Sequence, residues 1–401
     1  MGSELIVENP LDAWVVGGVR SPFGRFRGSL RDVPLVNLGK QVVNSTLERL
    51  DWPEDAIDEF LVGIGMIEGG LMVPARQIAV GAGLPESLPT LTVDRACCSG
   101  ATVVGLGSRA LDRGATSVLC LGVETMSRTP RLLHRSASER PEDLEVEDLL
   151  LLRSPLTGTS IARYVGEVAL QHGVDREMQD EWAVGSHRRY FAAHSRGFFD
   201  EEVVDIDTPT GPFSQDEHPR PNTSIAALAA LPTVRESPSV TAGNAPGLND
   251  GGCALVVARK QAAWRGDRPP LARVTAYVQM AESPTSSAYL PGIALDHLVK
   301  HQGLAATDLD VIEINEAYAA TPLVSIRRLS AGDQGLEAEL LSRTNRNGGA
   351  VALGHPIGAS GTRLILTAAR QLLEMGGRWA AVAICGGFGQ TDAVLLERAD
   401  G

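Results

Sequence analysis

The chain has 401 residues, of which 43% are hydrophobic and 21% charged, and its formal net charge is −13. This composition is typical of a globular protein with two or three domains or a duplicated unit, and the acidic charge argues against nucleic acid or an anionic membrane as the partner. Five scattered cysteines form neither a disulfide framework nor a metal-ligand pattern, so we expect a reducing compartment, the cytoplasm, and no metal.

Apolar strands alternate with helices in the first third of the chain. The pattern predicts strands at 13–19, 59–65, 91–93 and 117–123, and helices at 35–50, 74–82 and 99–113. This strand–helix–strand order predicts parallel pairing within a layered α/β domain.

A change of composition after Ser127 indicates a loop-rich insertion that covers about residues 128–240. One amphipathic helix is predicted inside it, at 175–196, where Gly197 follows as a stop. Long insertions at the ends of strands commonly carry substrate-binding loops, which is the role we expect here.

The α/β pattern resumes after residue 240. Strands are predicted at 253–258, 271–280, 311–314 and 380–384, and helices at 292–302, 317–330 and 360–374. A weak internal repeat relates Ser99-Gly100 to Ser360-Gly361, each followed by a helix and a buried strand. We therefore predict two similar α/β halves, residues 1–265 with the insertion and residues 266–401.

Three polar positions stand out against the glycine-rich or apolar runs around them. Cys97 follows an apolar strand and precedes a small-residue helix, whose N-terminus favours an anion and can lower a thiol pKa. His355 is the single histidine of the glycine-rich run 345–361, a setting that favours ligand contact over core packing. Cys385 ends a strand before a glycine turn. For either cysteine the alternative is a buried packing residue.

Asn315 follows the strand 311–314 directly and precedes a predicted helix. One interpretation is an ordinary N-cap, for which asparagine is well suited. The other is a side-chain amide that orients a water molecule or a neighbouring catalytic group.

These segments together resemble the thiolases, the acetyl-CoA acyltransferases, over essentially the whole chain. The matching stretches are Arg20 to Gly24 with Gly28 to Leu30, Pro74 to Gln77, Cys97 to Gly100, Gly122 to Ser127, Thr241 to Gly251, Asn315 to Ala317, Asn347 to Gly361 and Cys385 to Gln390. The resemblance implies a five-layer αβαβα fold built from two similar halves.

The resemblance also implies roles for individual residues. It makes Cys97 the nucleophile, because only this cysteine lies three positions before Gly100, and it leaves Cys98 as a packing residue. It makes His355 the base for that thiol and Cys385 the second acid and base, with Asn315 holding a water at the oxyanion site. The contacts with coenzyme A (CoA) or acyl substrate that it implies fall on Met126, Asn244, Gly247 and Gly387.

The implied reaction is the cleavage or formation of 3-ketoacyl-CoA through an acyl-cysteine enzyme, in lipid metabolism. Acyl-CoA, acetyl-CoA and CoA are then substrates, no further cofactor is needed, and self-association as a dimer or tetramer is expected. Two alternatives remain. One is a decarboxylative condensing enzyme, which dispenses with the second cysteine, and the other is a non-catalytic acyl-CoA-binding protein.

Three departures from the family pattern fall near the expected substrate site. Pro246 replaces a common serine, Phe388 replaces a common glycine, and residues 161–167 lack the usual Met-Gly-x-Thr-Ala-Glu-Asn run. A shifted register around Phe388 places the second acid and base at Ala383 instead of Cys385. These departures leave the acyl chain open and favour a specialised substrate.

Overall fold

The computed structural model describes residues 6–8, 12–68, 71–133, 146–265 and 268–399. Residues 134–145 of the predicted insertion therefore lie outside the described part of the chain, and so does the glycine pair at 69–70. The described strands are β1 Ile6–Glu8, β2 Ala13–Arg20, β3 Gly24–Arg25, β4 Glu59–Gly63, β5 Thr90–Val93, β6 Ser117–Thr125, β7 Arg131–Leu133, β8 Val146–Asp148, β9 Ile206–Thr208, β10 Gly211–Phe213, β11 Asn249–Ala258, β12 Ala272–Ala281, β13 Val311–Ile314, β14 Trp379–Cys385 and β15 Gln390–Arg398.

The described helices are α1 Leu35–Leu50, α2 Pro74–Ala82, α3 Ser99–Asp112, α4 Ile161–Gln171, α5 Arg176–Ser195, α6 Ile225–Ala229, α7 Lys260–Ala263, α8 Leu290–His301, α9 Ala320–Leu329, α10 Gln334–Arg343, α11 Ala350–Leu353 and α12 Ile357–Met375. The seven helices predicted from the sequence are present, and the structure adds α4, α6, α7, α10 and α11. The described helices include none long and apolar enough to cross a membrane.

Eleven of the described strands form one mixed sheet in the order β13-β14-β15-β12-β2-β11-β6-β4-β5, with β1 paired to β12 and β3 to β11. Strands β7 and β8, and strands β9 and β10, form two separate two-stranded sheets. The pairs β4–β5 and β4–β6 are parallel, as predicted. The sheet as a whole is not parallel, because β11 runs antiparallel to both β2 and β6. The second half repeats this pattern, with β13 parallel to β14 and β14 antiparallel to β15.

Helices divide the molecule into five layers. Helices α1 and α2 cover the outer face of the strands of the first half, and α8 to α10 cover those of the second half. Helices α3 and α12 lie between the two groups of strands, in an apolar cluster that includes residues of both halves. The expected αβαβα architecture and its two similar halves are therefore present.

The repeated Ser-Gly pairs mark the point where the two central helices cross. A Cβ atom on Gly361 would lie 2.3 Å from the backbone nitrogen of Ala101, and one on Gly100 would lie 2.6 Å from the carbonyl oxygen of Gly358. The Thr362 hydroxyl donates to the Gly100 carbonyl over 2.9 Å. This close approach brings the N-terminal ends of α3 and α12, and the residues that precede them, to one place.

The insertion is more regular than its composition suggests. Residues 161–171, for which the sequence analysis predicts no helix, form α4, and Ser160 caps it by accepting from the backbone nitrogen of Arg163. The predicted helix in the insertion is α5, capped by Asp175. Both helices pack on α9 and its surroundings, so the insertion forms one wall over the central layer.

Candidate active site

A cavity of about 500 Å³ lies where the two central helices, the insertion and the glycine turns meet. Cys97, His355 and Cys385 all line it, although they are distant in sequence. Three of the four residues expected to bind substrate line it as well: Met126, Gly247 and Gly387.

Cys97 lies on the tight turn that joins β5 to α3. Ala96, directly before it, has a φ of 49°, in the left-handed region that non-glycine residues rarely adopt. The turn is held by its own polar groups: the Ser99 hydroxyl accepts from the backbone nitrogen of Arg95 over 2.8 Å and donates to the Ala96 carbonyl over 2.7 Å. The geometry directs residue 97 toward the cavity while Cys98 is fully buried, with its thiol donating to the Ile384 carbonyl.

The structure does not support the expected lowering of the thiol pKa at Cys97. Burial raises its pKa, and the neighbouring Cys385 and Glu124 act in the same direction. Desolvation of a thiolate outweighs the favourable dipole of the helix here, because the thiol faces a largely apolar cavity. Cys97 is therefore a neutral thiol that needs a base at the moment of attack.

His355 is the residue expected to act as that base. Its Nδ1 lies 2.6 Å from the Ser360 hydroxyl, which itself donates to the Pro356 carbonyl over 2.9 Å. This arrangement assigns the proton to Nδ1 and leaves the lone pair on Nε2. Burial, and next the charge of Arg363, lowers the pKa of His355 to about 3. The imidazole is consequently neutral and able to take up a proton at Nε2.

The backbone of His355 is fixed by Asn249, a residue for which the sequence analysis gave no role. Its Oδ1 accepts from the His355 backbone nitrogen over 2.9 Å, and its Nδ2 donates to the Gly24 carbonyl over 3.0 Å. Gly354 has a φ of 101°, and a Cβ there would come within 2.5 Å of the Asn249 amide. The glycine before the histidine is therefore required by close approach and by conformation.

Asn315 is fully buried behind His355. Its Nδ2 lies 3.3 Å from His355 Nε2, and its Oδ1 has no hydrogen-bond partner among the described residues. The N-cap interpretation is wrong, because α9 begins only at Ala320. An amide with one free acceptor beside the base suits the positioning of a water molecule.

Glu124 is a second residue that sequence reasoning left without a role. Its carboxylate accepts from the backbone nitrogens of Gly65, Met66 and Gly358, at 2.9 to 3.2 Å. Burial raises its pKa to about 8 despite these three donors. It joins the end of β6, the 64–66 loop and the first turn of α12, and so fixes the floor beneath Cys97 and His355.

Cys385 ends β14 and faces the cavity at the start of the turn 386–389. Burial raises its pKa to about 11, against the opposing effect of the Gly387 backbone nitrogen. Gly387, Phe388 and Gly389 have φ values of 62°, 49° and 74°, so Phe388 occupies a backbone conformation that favours glycine. Ala383, the alternative position, is fully buried in β14 opposite Ile314.

The expected direct contact of Asn244 with CoA is not supported by its placement. Asn244 is fully buried and is not among the described residues that line the cavity. Its Oδ1 accepts from the Thr241 backbone nitrogen, and its Nδ2 donates to Asp180 and to the Ser239 carbonyl. Its side chain thus closes the 239–244 loop internally, and this loop leads to Pro246 and Gly247 at the cavity wall.

The fold and the cavity together define a class of protein. Two thiols and an uncharged imidazole around a largely apolar cavity are suited to acyl transfer through a cysteine thioester. The described residues contain no cluster of three or more potential metal ligands.

Comparison with known proteins specifies the family. Residues 13–261 match the thiolase N-terminal domain and residues 268–398 the thiolase C-terminal domain. The chain therefore belongs to the thiolase family. It is a CoA-dependent thiolase, and members of this family use CoA as a substrate without a metal or other cofactor.

Relatives and solved structures agree over nearly the full length. The chain is 36% identical to an acetyl-CoA acetyltransferase of Escherichia coli, with 96% of this chain and 98% of that protein covered. It is 34% identical to a beta-ketoadipyl-CoA thiolase of Acinetobacter baylyi, at 96% and 99% coverage. The human mitochondrial 3-ketoacyl-CoA thiolase in complex with CoA superposes with a TM-score of 0.90 at 31% identity, at 96% and 98% coverage.

Proposed function

We propose that this thiolase cleaves 3-ketoacyl-CoA with free CoA, or forms it by the reverse Claisen condensation, through an acyl group carried on Cys97. The observation that carries the proposal is that Cys97, His355 and Cys385 line one cavity. The relatives' names divide between acetyl-CoA and longer 3-ketoacyl substrates, so the acyl group is argued separately below.

In the cleavage direction, the first half-reaction uses all three residues. His355 Nε2 takes the proton of the Cys97 thiol while the sulfur bonds to C3 of the substrate. The bond between C2 and C3 then breaks, its electron pair goes to C2, and Cys385 donates a proton there. Acetyl-CoA leaves, and the remaining acyl group stays on Cys97 as a thioester.

The second half-reaction returns the enzyme to its starting state. The thiol of free CoA gives its proton to the Cys385 thiolate, and its sulfur attacks the acyl carbon on Cys97. Cys97 leaves as a thiolate and regains its proton from His355. Burial raises the pKa of both cysteines. Each thiolate is therefore reprotonated before the next turnover, as these two half-reactions require.

The oxygen that becomes negative in these steps needs donors that are fixed in advance. We assign this role to backbone nitrogens at Cys97 and Gly387, and to a water molecule held by the free Oδ1 of Asn315. Loss of one such donor costs roughly 3 kcal/mol of transition-state stabilisation.

A panel of 3-ketoacyl-CoA thioesters with free CoA tests the proposal, followed by the loss of 3-ketoacyl absorbance. Cys97→Ala should abolish turnover and the acyl-enzyme seen by intact-protein mass spectrometry. Cys385→Ala should slow thiolysis by at least a hundred-fold while acylation of Cys97 by a simple acyl-CoA persists. Cys98→Ala is the matched control and should retain activity, since that thiol packs against β14. Turnover by Cys97→Ala would refute the proposal.

The same variants separate the two alternatives. Cys385 in the cavity supports thiolysis over decarboxylative condensation, which does not need the second thiol. Condensation from a malonyl-type donor that survives Cys385→Ala would favour the alternative. A wild-type protein that binds acyl-CoA without forming a covalent adduct would favour a non-catalytic binding protein.

We further infer that the chain self-associates as a dimer or tetramer. Strand β5 is at the edge of the sheet, where its outer backbone groups face no described strand. Near this edge Met72, Val73 and Leu91 are 77%, 67% and 49% exposed, which is costly for a monomer. Light scattering should show an oligomer that Leu91→Lys disrupts, whereas Met375→Lys, on the distant end of α12, should not.

The five free cysteines support a reducing compartment, and we propose the cytoplasm. Cell fractionation with an antibody to the chain tests this location. Recovery from an oxidising compartment would contradict it.

A further inference from the structure

One end of the cavity carries hydroxyl groups that the reaction described above does not use. Ser287 and Thr321 line the cavity beside Cys385 and Gly387 and are 2% and 0% exposed. Neither hydroxyl oxygen has a hydrogen-bond partner among the described residues. Tyr164, on α4 and 3% exposed, has a third such hydroxyl.

These hydroxyls come from three separate elements that are fixed to one another. Ser287 is on a 3-10 turn, Ser286–Ala288, and Thr321 is in the first turn of α9. The Ser325 hydroxyl, one turn further along α9, donates to the Ala288 carbonyl over 3.0 Å and joins the two elements. The Tyr164 hydroxyl lies near Ser287 and the Phe388 backbone, beyond hydrogen-bond geometry. The cluster is therefore rigid and unsatisfied.

Leaving a buried hydroxyl without a partner costs free energy, and two such hydroxyls on the wall of one cavity call for an explanation. A purely hydrocarbon acyl chain would leave that cost in place. A chain with its own oxygen atom would remove it by accepting from, or donating to, these groups. Burial raises the pKa of Tyr164 to about 12, so its phenol remains a donor at physiological pH.

The charges on the cavity wall indicate which kind of oxygen-containing group the acyl chain carries. Among the described lining residues only Glu147 and Arg153 are charged, and both are exposed, at the mouth formed by the insertion. Arg153 also donates to the Gly158 carbonyl over 3.2 Å. No cationic side chain among the described lining residues lies beside Ser287 and Thr321. A carboxylate bound at this buried position would therefore lose its hydration without gaining a counter-charge.

We propose that the acyl site selects a 3-ketoacyl-CoA whose acyl chain carries an uncharged oxygen, a hydroxyl or a further ketone, beyond C3. Ser287 and Thr321, which line the cavity, are the specificity-determining residues. The proposal rests on the thiolase activity proposed above and adds the substrate class. It differs from the carboxylate-ended chain in the name of the beta-ketoadipyl-CoA relatives.

Matched six-carbon substrates test the proposal: 3-ketohexanoyl-CoA, its 5-hydroxy and 6-hydroxy derivatives, and 3-ketoadipyl-CoA. At least one hydroxylated chain should exceed 3-ketohexanoyl-CoA in kcat/KM by about ten-fold, the usual effect of satisfying a buried hydroxyl. The carboxylate chain should be the poorest of the four. Equal rates for the alkyl and both hydroxylated chains, or a preference for the carboxylate, would overturn the substrate class.

Variants assign the preference to the cluster. Ser287→Ala and Thr321→Val should each remove most of the ten-fold preference, measured within each variant as the ratio of kcat/KM for the hydroxylated chain to that for 3-ketohexanoyl-CoA. Ser286→Ala is the matched control, because its hydroxyl is also buried and unpartnered but it is not among the described lining residues.

Three failures can be told apart with these measurements. If 3-ketohexanoyl-CoA is cleaved but no preference for oxygen appears, the substrate class is wrong and the thiolase mechanism stands. If the cluster variants lose both substrates equally while their melting temperatures match wild type, the hydroxyls do not set specificity. If no chain in the panel is cleaved, the mechanism itself fails.

Discussion

At the scale of single residues, the site depends on uncharged groups that exchange protons during the reaction. Burial keeps Cys97 and Cys385 as thiols and His355 as a neutral imidazole. The tautomer of His355 is set by one hydroxyl, Ser360, through its 2.6 Å contact with Nδ1. Ser360 thus acts as a positioning residue that leaves Nε2 free to accept the proton of Cys97.

Replacing Ser360 by alanine should lower kcat for thiolysis by about ten-fold or more. The buried Nδ1–H of His355 would lose its acceptor, and the tautomer with a free Nε2 lone pair would no longer be favoured. KM should change less than kcat, since Ser360 does not line the cavity among the described residues. Steady-state kinetics checks this against Ser108→Ala, whose hydroxyl makes a similar bond to its own helix in α3. Equal effects of the two variants would contradict the positioning role.

The pH dependence of acylation follows from the lowered pKa of His355, about 3 in the folded state against an ordinary 6.5. The base is neutral at every pH above that range, so single-turnover release of acetyl-CoA should stay level between pH 7 and pH 5.5. The lowered pKa of His355 also makes the stability of the fold depend on pH. The neutral imidazole contributes to the free energy of unfolding above pH 6.5, and this contribution is lost as the pH falls toward 3. A ten-fold loss of rate per pH unit below 6.5 would show that His355 titrates normally.

At the scale of elements, the crossing of α3 and α12 places the nucleophile and the base together. It requires glycine on both helices, since a Cβ on Gly361 would come within 2.3 Å of the backbone of the other helix. The insertion helix α4 contributes Ile161 and Val165 to the opposite wall. The catalytic residues therefore depend on helix packing as much as on their own turns.

Gly361→Ala should destabilise the protein by at least 2 kcal/mol, about the cost of overpacking a tight core, and should lower kcat as the two helices separate. Gly81→Ala in α2 is the matched control. Its Cβ would meet only the flexible Lys40 side chain at 3.7 Å, and alanine there should stabilise the helix by roughly 0.5–1 kcal/mol. Urea unfolding checks both, and a neutral Gly361→Ala would refute the packing argument.

At the scale of the whole molecule, the two halves are joined by a buried ion pair as well as by apolar contact. Asp392 on β15 accepts from Arg95 over 2.5 Å, from Thr102 over 2.6 Å and from Tyr277 over 2.7 Å. Arg95 and Thr102 belong to the first half, and Arg95 lies two residues before Cys97. The second half thereby fixes the turn that carries Cys97 in the first half.

Asp392→Asn should destabilise the fold by about 3 kcal/mol, because it leaves Arg95 partly buried without its counter-charge. Alkylation of Cys97 by iodoacetamide should also change in rate, as the turn loosens. Glu397→Gln, which removes the exposed pair with Arg378, is the control and should cost no more than about 1 kcal/mol. Thermal unfolding and timed alkylation measure the two effects, and a variant as stable as wild type would contradict the proposed link between the halves.

Short-range sequence patterns are enough to predict many of the helices and strands and the positions of two candidate site residues. Helices 35–50 and 74–82, the alternation of strands and helices, and the glycine-flanked positions Cys97 and His355 follow from short-range periodicity and turn chemistry. Such patterns are local, because side-chain spacing and backbone conformation are set by neighbours in the chain.

Properties that depend on contacts between residues distant in the sequence could be read from the tertiary structure alone. It turned the expected low pKa of Cys97 into a raised one, because desolvation is a collective effect of several layers. It made Asn244 an internal support and gave Asn249 the role of fixing His355. It also brought the unpartnered hydroxyls of Ser287 and Thr321, which are 34 positions apart in the sequence, to the wall of the same cavity.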